Sequence, residues 1–469
     1  MSLFKKDTFI GDKAFYKTAF AIALPVIIQQ TVTNAVNLLD NIMVGQVGDL
    51  EYSAVGIINQ LMVIVNLSLF GALSAAGIFA SQYAGAKNDE GLRHTLRIKL
   101  VAGFLILIAS SLILGLFPDR LAELYIAENT PAAEAEKTIG FAVVYARIMI
   151  IGLLPFALTQ VYAQSLKEVG ETKIPMYTSV FAIAVNLIFN YLLIFGSLGF
   201  PKLGVAGAAI ATVISRFAET VLLIAVTHKR KKRFTFLNGV YKTLAVPKSL
   251  VVDVIKKGFP LLANELLWST GIAMYLQCYS ARGLDVVAAA TISSAVNNFF
   301  GVMSIAIGMT VAVMVGQKLG AREFEEAKKT SWRLITLGVG ICLAIGLILA
   351  ALSAVIPSFY KTSEEVRSLA SSFLCVIAVS LPLQTFANGA YFTLRSGGKT
   401  MLTFWLDSGF MWAVAVPTAY VLSNYTSLDI VLVYLIVQCL DLIKCVIGAP
   451  LIQSGMWLSN IVEDKDEKN

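Results

Sequence analysis

The stretch Phe20-Ala-Ile-Ala-Leu-Pro25-Val-Ile-Ile-Gln-Gln30-Thr-Val-Thr-Asn-Ala-Val-Asn-Leu-Leu-Asp40-Asn-Ile-Met-Val-Gly45 decides how the chain is read. It is long and apolar enough to cross a bilayer as a helix. Gln30, Thr33, Asn34, Asn37, Asp40 and Asn41 recur at steps of three and four, so they share one helix face. An isolated carboxylate in hydrocarbon costs several kcal/mol, so Asp40 is expected to face a protein interior or a wet cavity. A carboxylate in such a place can take up and release a proton. The stripe points to a path for ions or polar solutes. Pro25 lies on the same helix, about 22 Å away at 1.5 Å per residue. It leaves a carbonyl unpaired and permits a kink, so it is a candidate hinge.

Composition agrees with a membrane setting. Of 469 residues, 57% are hydrophobic and only 14% charged, against roughly 25% charged in soluble domains. Apolar runs of about 20 residues predict twelve helices: 17–43, 53–80, 97–117, 138–162, 174–196, 204–227, 253–279, 286–315, 332–356, 367–393, 402–422 and 430–452. The fold class is therefore an all-α polytopic membrane protein. The N-terminal stretch has no small-residue cleavage site, so the first span is expected to be retained. The five cysteines all fall in apolar segments and read as small hydrophobes rather than a disulfide framework.

The net charge of +7 is no nucleic-acid signal, because the cations sort by loop. Lys5, Lys6, Lys13 and Lys17 share a side with Lys87, Arg93, the basic run Lys229–Arg233, Lys318, Arg322, Lys399, Lys465 and Lys468. In all, 28 of the 37 Lys and Arg fall on that side and 7 on the other. Such a bias, with an even span number, puts both termini in the cytoplasm. Residues 228–250 form the longest and most basic break. They read as a linker that rests on anionic membrane lipid, between an N-lobe of 1–227 and a C-lobe of 251–469.

The two lobes repeat one another. Pro25 matches Pro260, and Gln82-x-x-Gly85-Ala86-Lys87 matches Gln317-x-x-Gly320-Ala321-Arg322. Further on, Leu154-Pro155 matches Leu381-Pro382, and the loop Gly170-Glu-Thr172 matches Gly398-Lys-Thr400. Six spans per repeat is an even number, so both halves insert the same way. Two pseudo-symmetric six-helix bundles with a cavity between them are expected, as in carriers that work by alternating access. Asp40 aligns with Tyr275, so the acid exists in one copy only.

Further candidates follow from polar residues within spans. Asn186 and Asn190 are four apart on the fifth span, with Tyr191 beside them, and can reach Asp40 or a solute. Glu265, five residues past Pro260, is a second candidate for the substrate or cation site. Asp407 and the Asp441/Lys444 pair are others, the pair reading first as a local ion pair. Gly397-Gly398-Lys399-Thr400 ends like a phosphate loop, but Thr393 stands where the first glycine is required. No metal-type cluster or nucleophile–base pair is evident, and no cofactor is called for. The chain reads as a transporter driven by an ion gradient, not as an enzyme.

The Leu24-Pro25 start, Asp40-Asn-Ile-Met-Val-Gly45, the two Gln-x-x-Gly-Ala-basic loops and the two Gly-x-Thr loops together carry a resemblance. The chain resembles the multidrug and toxic compound extrusion family over essentially its whole length, and most of all its DNA-damage-inducible prokaryotic branch. The resemblance implies export of small amphipathic, often cationic compounds from a prokaryotic cell across the cytoplasmic membrane, by antiport against protons or sodium. It implies coupling through the first-span acid, here Asp40, and bending at Pro25. Some members carry an acid on span five where this chain has Asn190. The sodium-coupled branch has acids on spans seven and ten, where this chain has Trp268, and Leu383 and Gln384. These departures favour protons. The rivals are a sodium-coupled exporter and a flippase for lipid-linked precursors. A flippase calls for a basic cavity, and only Arg216 and Lys444 read as intramembrane cations, away from the basic span ends. A channel would need a selectivity filter, and nothing here looks like one.

Overall fold

The structure, a computed structural model, describes residues 6–126 and 130–463; Lys5, Lys465 and Lys468 lie outside them. Among the described residues the regular structure is helical, with no strand. Each of the twelve predicted segments is helix. The first three spans are Lys13–Gly45, Asp49–Gly85 and Asp89–Leu116. The second and third begin before their apolar runs because acidic first turns, Asp49 with Glu51 and Asp89 with Glu90, complement the helix N-termini. The fourth span is a pair, Ala132–Ile151 and Leu153–Glu168, bent by 49° at Gly152. The fifth and sixth are Lys173–Phe195 and Val205–Lys229.

In the second half the seventh span is Lys248–Ser280. The eighth is Leu284–Phe300 followed by Val302–Gly320, interrupted at Gly301. The ninth and tenth are Phe324–Leu352 and Glu364–Ser396. The eleventh is Thr400–Tyr425, distorted by π-helical turns at Trp405–Gly409 and Met411–Ala415. The twelfth is Ile430–Cys439 followed by Asp441–Ser454. Among the described residues, by length and hydropathy alone, nine helices can cross a membrane, or ten with the bent pair as one span. The seventh span, whose apolar stretch carries Asn264 and Glu265, and the interrupted eleventh complete the twelve.

The repeat is visible in the backbone. Both Gln-x-x-Gly helices end on the motif glycine, and in each the next basic residue is left-handed, Lys87 at φ 55° and Arg322 at φ 61°. The closing hydrogen bonds match: Asn88 N donates to Tyr83 O at 3.0 Å, and Glu323 N to Lys318 O at 2.9 Å. These six-to-one bonds satisfy carbonyls that the helix end would otherwise leave open. The Gly-x-Thr loops agree equally well. Gly170 and Gly398 have φ of 84° and 75°, and Glu171 N and Lys399 N donate to Leu166 O and Leu394 O.

The chain forms two compact units. One comprises the chain to Ile27, Ile78–Asn88 and Asp253 onward. The other comprises Ile28–Gly77 and Asp89–Val252. The first two spans therefore each run from one unit into the other, and Pro25 stands two residues before the change in the first. The core of the second unit gathers Ile58, Ala146, Met149, Leu153 and Ile194. The first unit has two cores, one around Phe373 and Tyr434 and one around Val311, Leu334 and Trp457.

The basic linker is tied down within the second unit. Arg97, almost fully buried, donates to Val240 O at 3.0 Å, Ala245 O at 2.9 Å and Gly239 O at 2.9 Å. One guanidinium thus satisfies three loop carbonyls that no helix or sheet would satisfy. Thr235 bonds Asp89, and Arg233 pairs with Glu171 at 2.7 Å.

Candidate ion-coupling and substrate site

The fifth span brings two amides to Asp40, and the sixth backs one of them. Asn190 donates from Nδ2 to Asp40 Oδ1 at 2.7 Å. Asn186, one turn earlier on the fifth span, presents its amide to both Asp40 oxygens at 3.0 Å when turned with nitrogen inward. The other end of that amide faces Thr212 Oγ1 on the sixth span, 3.5 Å away. Thr212 is anchored in turn to Ala208 O at 3.0 Å. Asn186 and Asn190 are both buried, and Asp40 is half-buried.

The chemistry of this arrangement follows from donor counting. An ionised carboxylate only accepts, so it draws the Asn186 nitrogen inward and takes bonds from two amides. A protonated carboxyl donates as well. It then bonds the Asn186 oxygen, the orientation in which Asn186 Nδ2 faces Thr212. Among the described residues Asp40 forms no ion pair; neutral amides are what hold it. A buried charge without a counter-ion is tolerated only while such bonds are complete, so the site is suited to exchange a proton or hold a small cation.

The remaining predicted residues separate. Thr33 bonds its own helix, at Gln29 O, 2.8 Å. Gln30 and Asn34 are half-buried, and Asn37 is exposed on the same stripe. Tyr191 is 56% exposed and meets Phe195 rather than Asp40. Thr212 was not among the predicted residues. Its spacing of four from Arg216 on the sixth span was the available signal, but threonine is common in apolar helices and does not stand out there.

In the other unit Glu265 lies within electrostatic reach of Arg395 and Asp407. Its neighbour Asn264, almost fully buried, makes the direct bond, donating to Asp407 Oδ2 at 3.1 Å. Asn264 also receives Ser408 N at 3.3 Å, at the π-helical turn that carries Asp407. Lys444 reaches Asp407 at 3.2 Å and Asp441 at 3.3 Å. The pair expected from the spacing on span twelve is therefore present and extends to span eleven. At Tyr275, the repeat partner of Asp40, the ring stacks on Tyr279, which meets Tyr434. The second half has built an aromatic cluster where the first has its acid.

The family model described as MatE matches residues 25–192 and again 260–421, once on each repeat. The chain belongs to the MatE family. It is thus a multi-pass membrane transporter of the multidrug and toxic compound extrusion group, not an enzyme. Among its relatives is the "Probable multidrug resistance protein YoeA" of Bacillus subtilis, 28% identical over 77% of this chain and 76% of the relative. The "Probable multidrug resistance protein NorM" of Bacillus licheniformis is 25% identical over 87% of this chain and 88% of its own length. Solved MatE-type folds superpose on nearly the whole chain. A mutant of the Vibrio cholerae MATE transporter VcmN matches with a TM-score of 0.84 at 18% identity, covering 96% of this chain and 98% of that one. A MOP superfamily transporter from Pyrococcus furiosus matches with a TM-score of 0.82 at 20% identity, covering 94% and 96%. These likenesses establish the twelve-span fold.

Proposed function

We propose that this MatE transporter exports small amphipathic, often cationic compounds in exchange for protons, with Asp40 as the proton carrier. One observation carries the reading. The Asp40 carboxylate lies within a membrane span, held by the neutral amides of Asn190 and Asn186, with no ion pair among the described residues. The Asn186 amide has a bonding orientation for each protonation state of Asp40. The names of the relatives, multidrug resistance proteins, support the substrate class. The loop charge bias supports a cytoplasmic membrane location with both termini inside. No cofactor enters this scheme.

A deprotonated Asp40 favours substrate binding. Protonation from outside turns the amide, releases the substrate and resets the carrier. The differential proton affinity of the two states is what drives the shift. Pro25, beside the point where the first span passes between units, is where that helix can bend.

The test is cationic-dye transport in proteoliposomes under an imposed proton gradient or an imposed sodium gradient, for wild type and Asp40→Asn. Transport driven by protons alone, and lost in a folded and inserted Asp40→Asn, is expected. Transport driven by sodium alone would overturn the proton assignment in favour of the sodium-coupled reading. Full activity in Asp40→Asn would remove Asp40 as the carrier and make Glu265 the next candidate.

A further inference from the structure

The two Gln-x-x-Gly motifs meet each other, and the segment Gly455–Glu463 is bound across the place where they meet. A Cβ on Gly85 would overlap the Gln317 carbonyl, and a Cβ on Gly320 would overlap the Gln82 carbonyl. Next to them a Cβ on Gly316 would lie 2.7 Å from the Ser81 Cβ. Such reciprocal backbone contact needs glycine on both helices. All of these residues lie in one unit, although the rest of the second span lies in the other. The ends of spans two and eight are therefore clasped.

The segment Gly455–Glu463 follows the twelfth span and lies on this clasp. Gln82, fully buried, directs its side chain at the segment and not at its own helix. Its Nε2 donates to Ser396 O at 2.9 Å and Ser459 O at 3.2 Å, and its Oε1 accepts from Ile461 N at 2.8 Å. Asn460 Nδ2 donates to Gly320 O at 3.2 Å, on the other motif. Trp457 is fully buried and bonds Ile452 O at 3.0 Å. At the rim Arg322 pairs with Glu463 at 2.6 Å.

We propose that Gly455–Glu463 is a strap that latches the clasp between the two Gln-x-x-Gly motifs, and that it must release for the transporter to open on that side. The inference rests on the transport reading above, whose orientation makes this side cytoplasmic. The buried Gln82 amide is bound to the backbone of the strap and of Ser396, at the end of the tenth span. It holds one motif to a segment that also binds the other. Opening the clasp separates the two motifs, and the strap cannot keep both Gln82 and Gly320 once they part.

The test uses full-length protein with Cys278, Cys342, Cys375, Cys439 and Cys445 replaced by alanine. A reporter, Ser81→Cys, is labelled by a membrane-impermeant maleimide in inside-out vesicles. Gln82→Ala, which removes three hydrogen bonds, is expected to raise the labelling rate by about tenfold or more. Glu463→Lys, an exposed change that places like charges together, is expected to raise it about threefold. In a second arm Arg322→Cys and Glu463→Cys are bridged by a bis-methanethiosulfonate. Bridging is expected to stop dye transport, and reduction to restore it. Unchanged labelling in both variants, or bridged protein that transports as fast as reduced protein, would overturn the strap. Wild type that moves no dye would instead remove the transport reading, and the labelling arm would still decide whether the strap holds the clasp.

Discussion

Asn190 Nδ2 stands 2.7 Å from Asp40 Oδ1 and joins the fifth span to the first within one compact unit. A hydrogen bond to a charged group contributes about 1.5–3 kcal/mol, and more is lost when the partner stays buried. Asn190→Leu removes the donor while keeping the volume. Proton-driven dye efflux in proteoliposomes should fall by about tenfold or more. In an Asp40→Asn background the same change should cost far less, because the charge it serves is gone. Additive losses in that double-mutant cycle would refute a direct partnership.

Much of this site was legible in the sequence. A lone acid on a polar stripe, and two asparagines four apart, are patterns that burial in lipid makes conspicuous. Tyr191 was not separable from them, since adjacent helix residues differ by about 100° and only packing shows which side faces Asp40. Glu265 drew attention because it is charged. The structure gives the direct bond to Asn264, whose amide fits against Asp407 without a second negative charge. The repeat was legible down to its turns, for glycine and the residues that cap helices have local causes. The partners of Gln82 were not, because the residues it binds lie more than 300 positions away.

Lys99 is fully buried and pairs with Glu168, with Ser165 as a further acceptor at 3.2 Å. Removing one member of such a pair leaves the other charged and uncompensated, at about 3–5 kcal/mol. Glu168→Gln should therefore lower the thermal midpoint in detergent markedly. Lys99→Met combined with Glu168→Leu removes both charges and should recover most of the loss. A double variant as unstable as the single would show that the pair contributes through shape and not charge.

Arg97 holds the linker by three carbonyls. Arg97→Ala should free residues 239–245 while leaving the spans in place. Trypsin cutting within Lys229–Lys242 should accelerate by about tenfold, corresponding to loss of one or two net hydrogen bonds of this kind. Arg97→Lys should protect only partly, since one ammonium cannot reproduce the planar fork that serves three acceptors. Equal protection by lysine would mean that charge alone holds the loop.

Gly85 and Gly320 offer a comparison within one molecule. Each faces a backbone carbonyl of the other motif, where nothing can turn aside as a side chain would. Gly85→Ala and Gly320→Ala should be damaging to a similar degree, because the repeat places both in the same contact. Each should reduce the yield of monodisperse protein and the thermal midpoint by more than a typical surface change, which stays within about 0.5 kcal/mol. Gly140→Ala is the matched control: it lies within a helix with nothing near its Cβ position. Alanine there should be neutral or stabilising by up to about 1 kcal/mol, from helix propensity alone. If all three alanines behaved alike, helix propensity and not close crossing would explain why the two motif glycines are present.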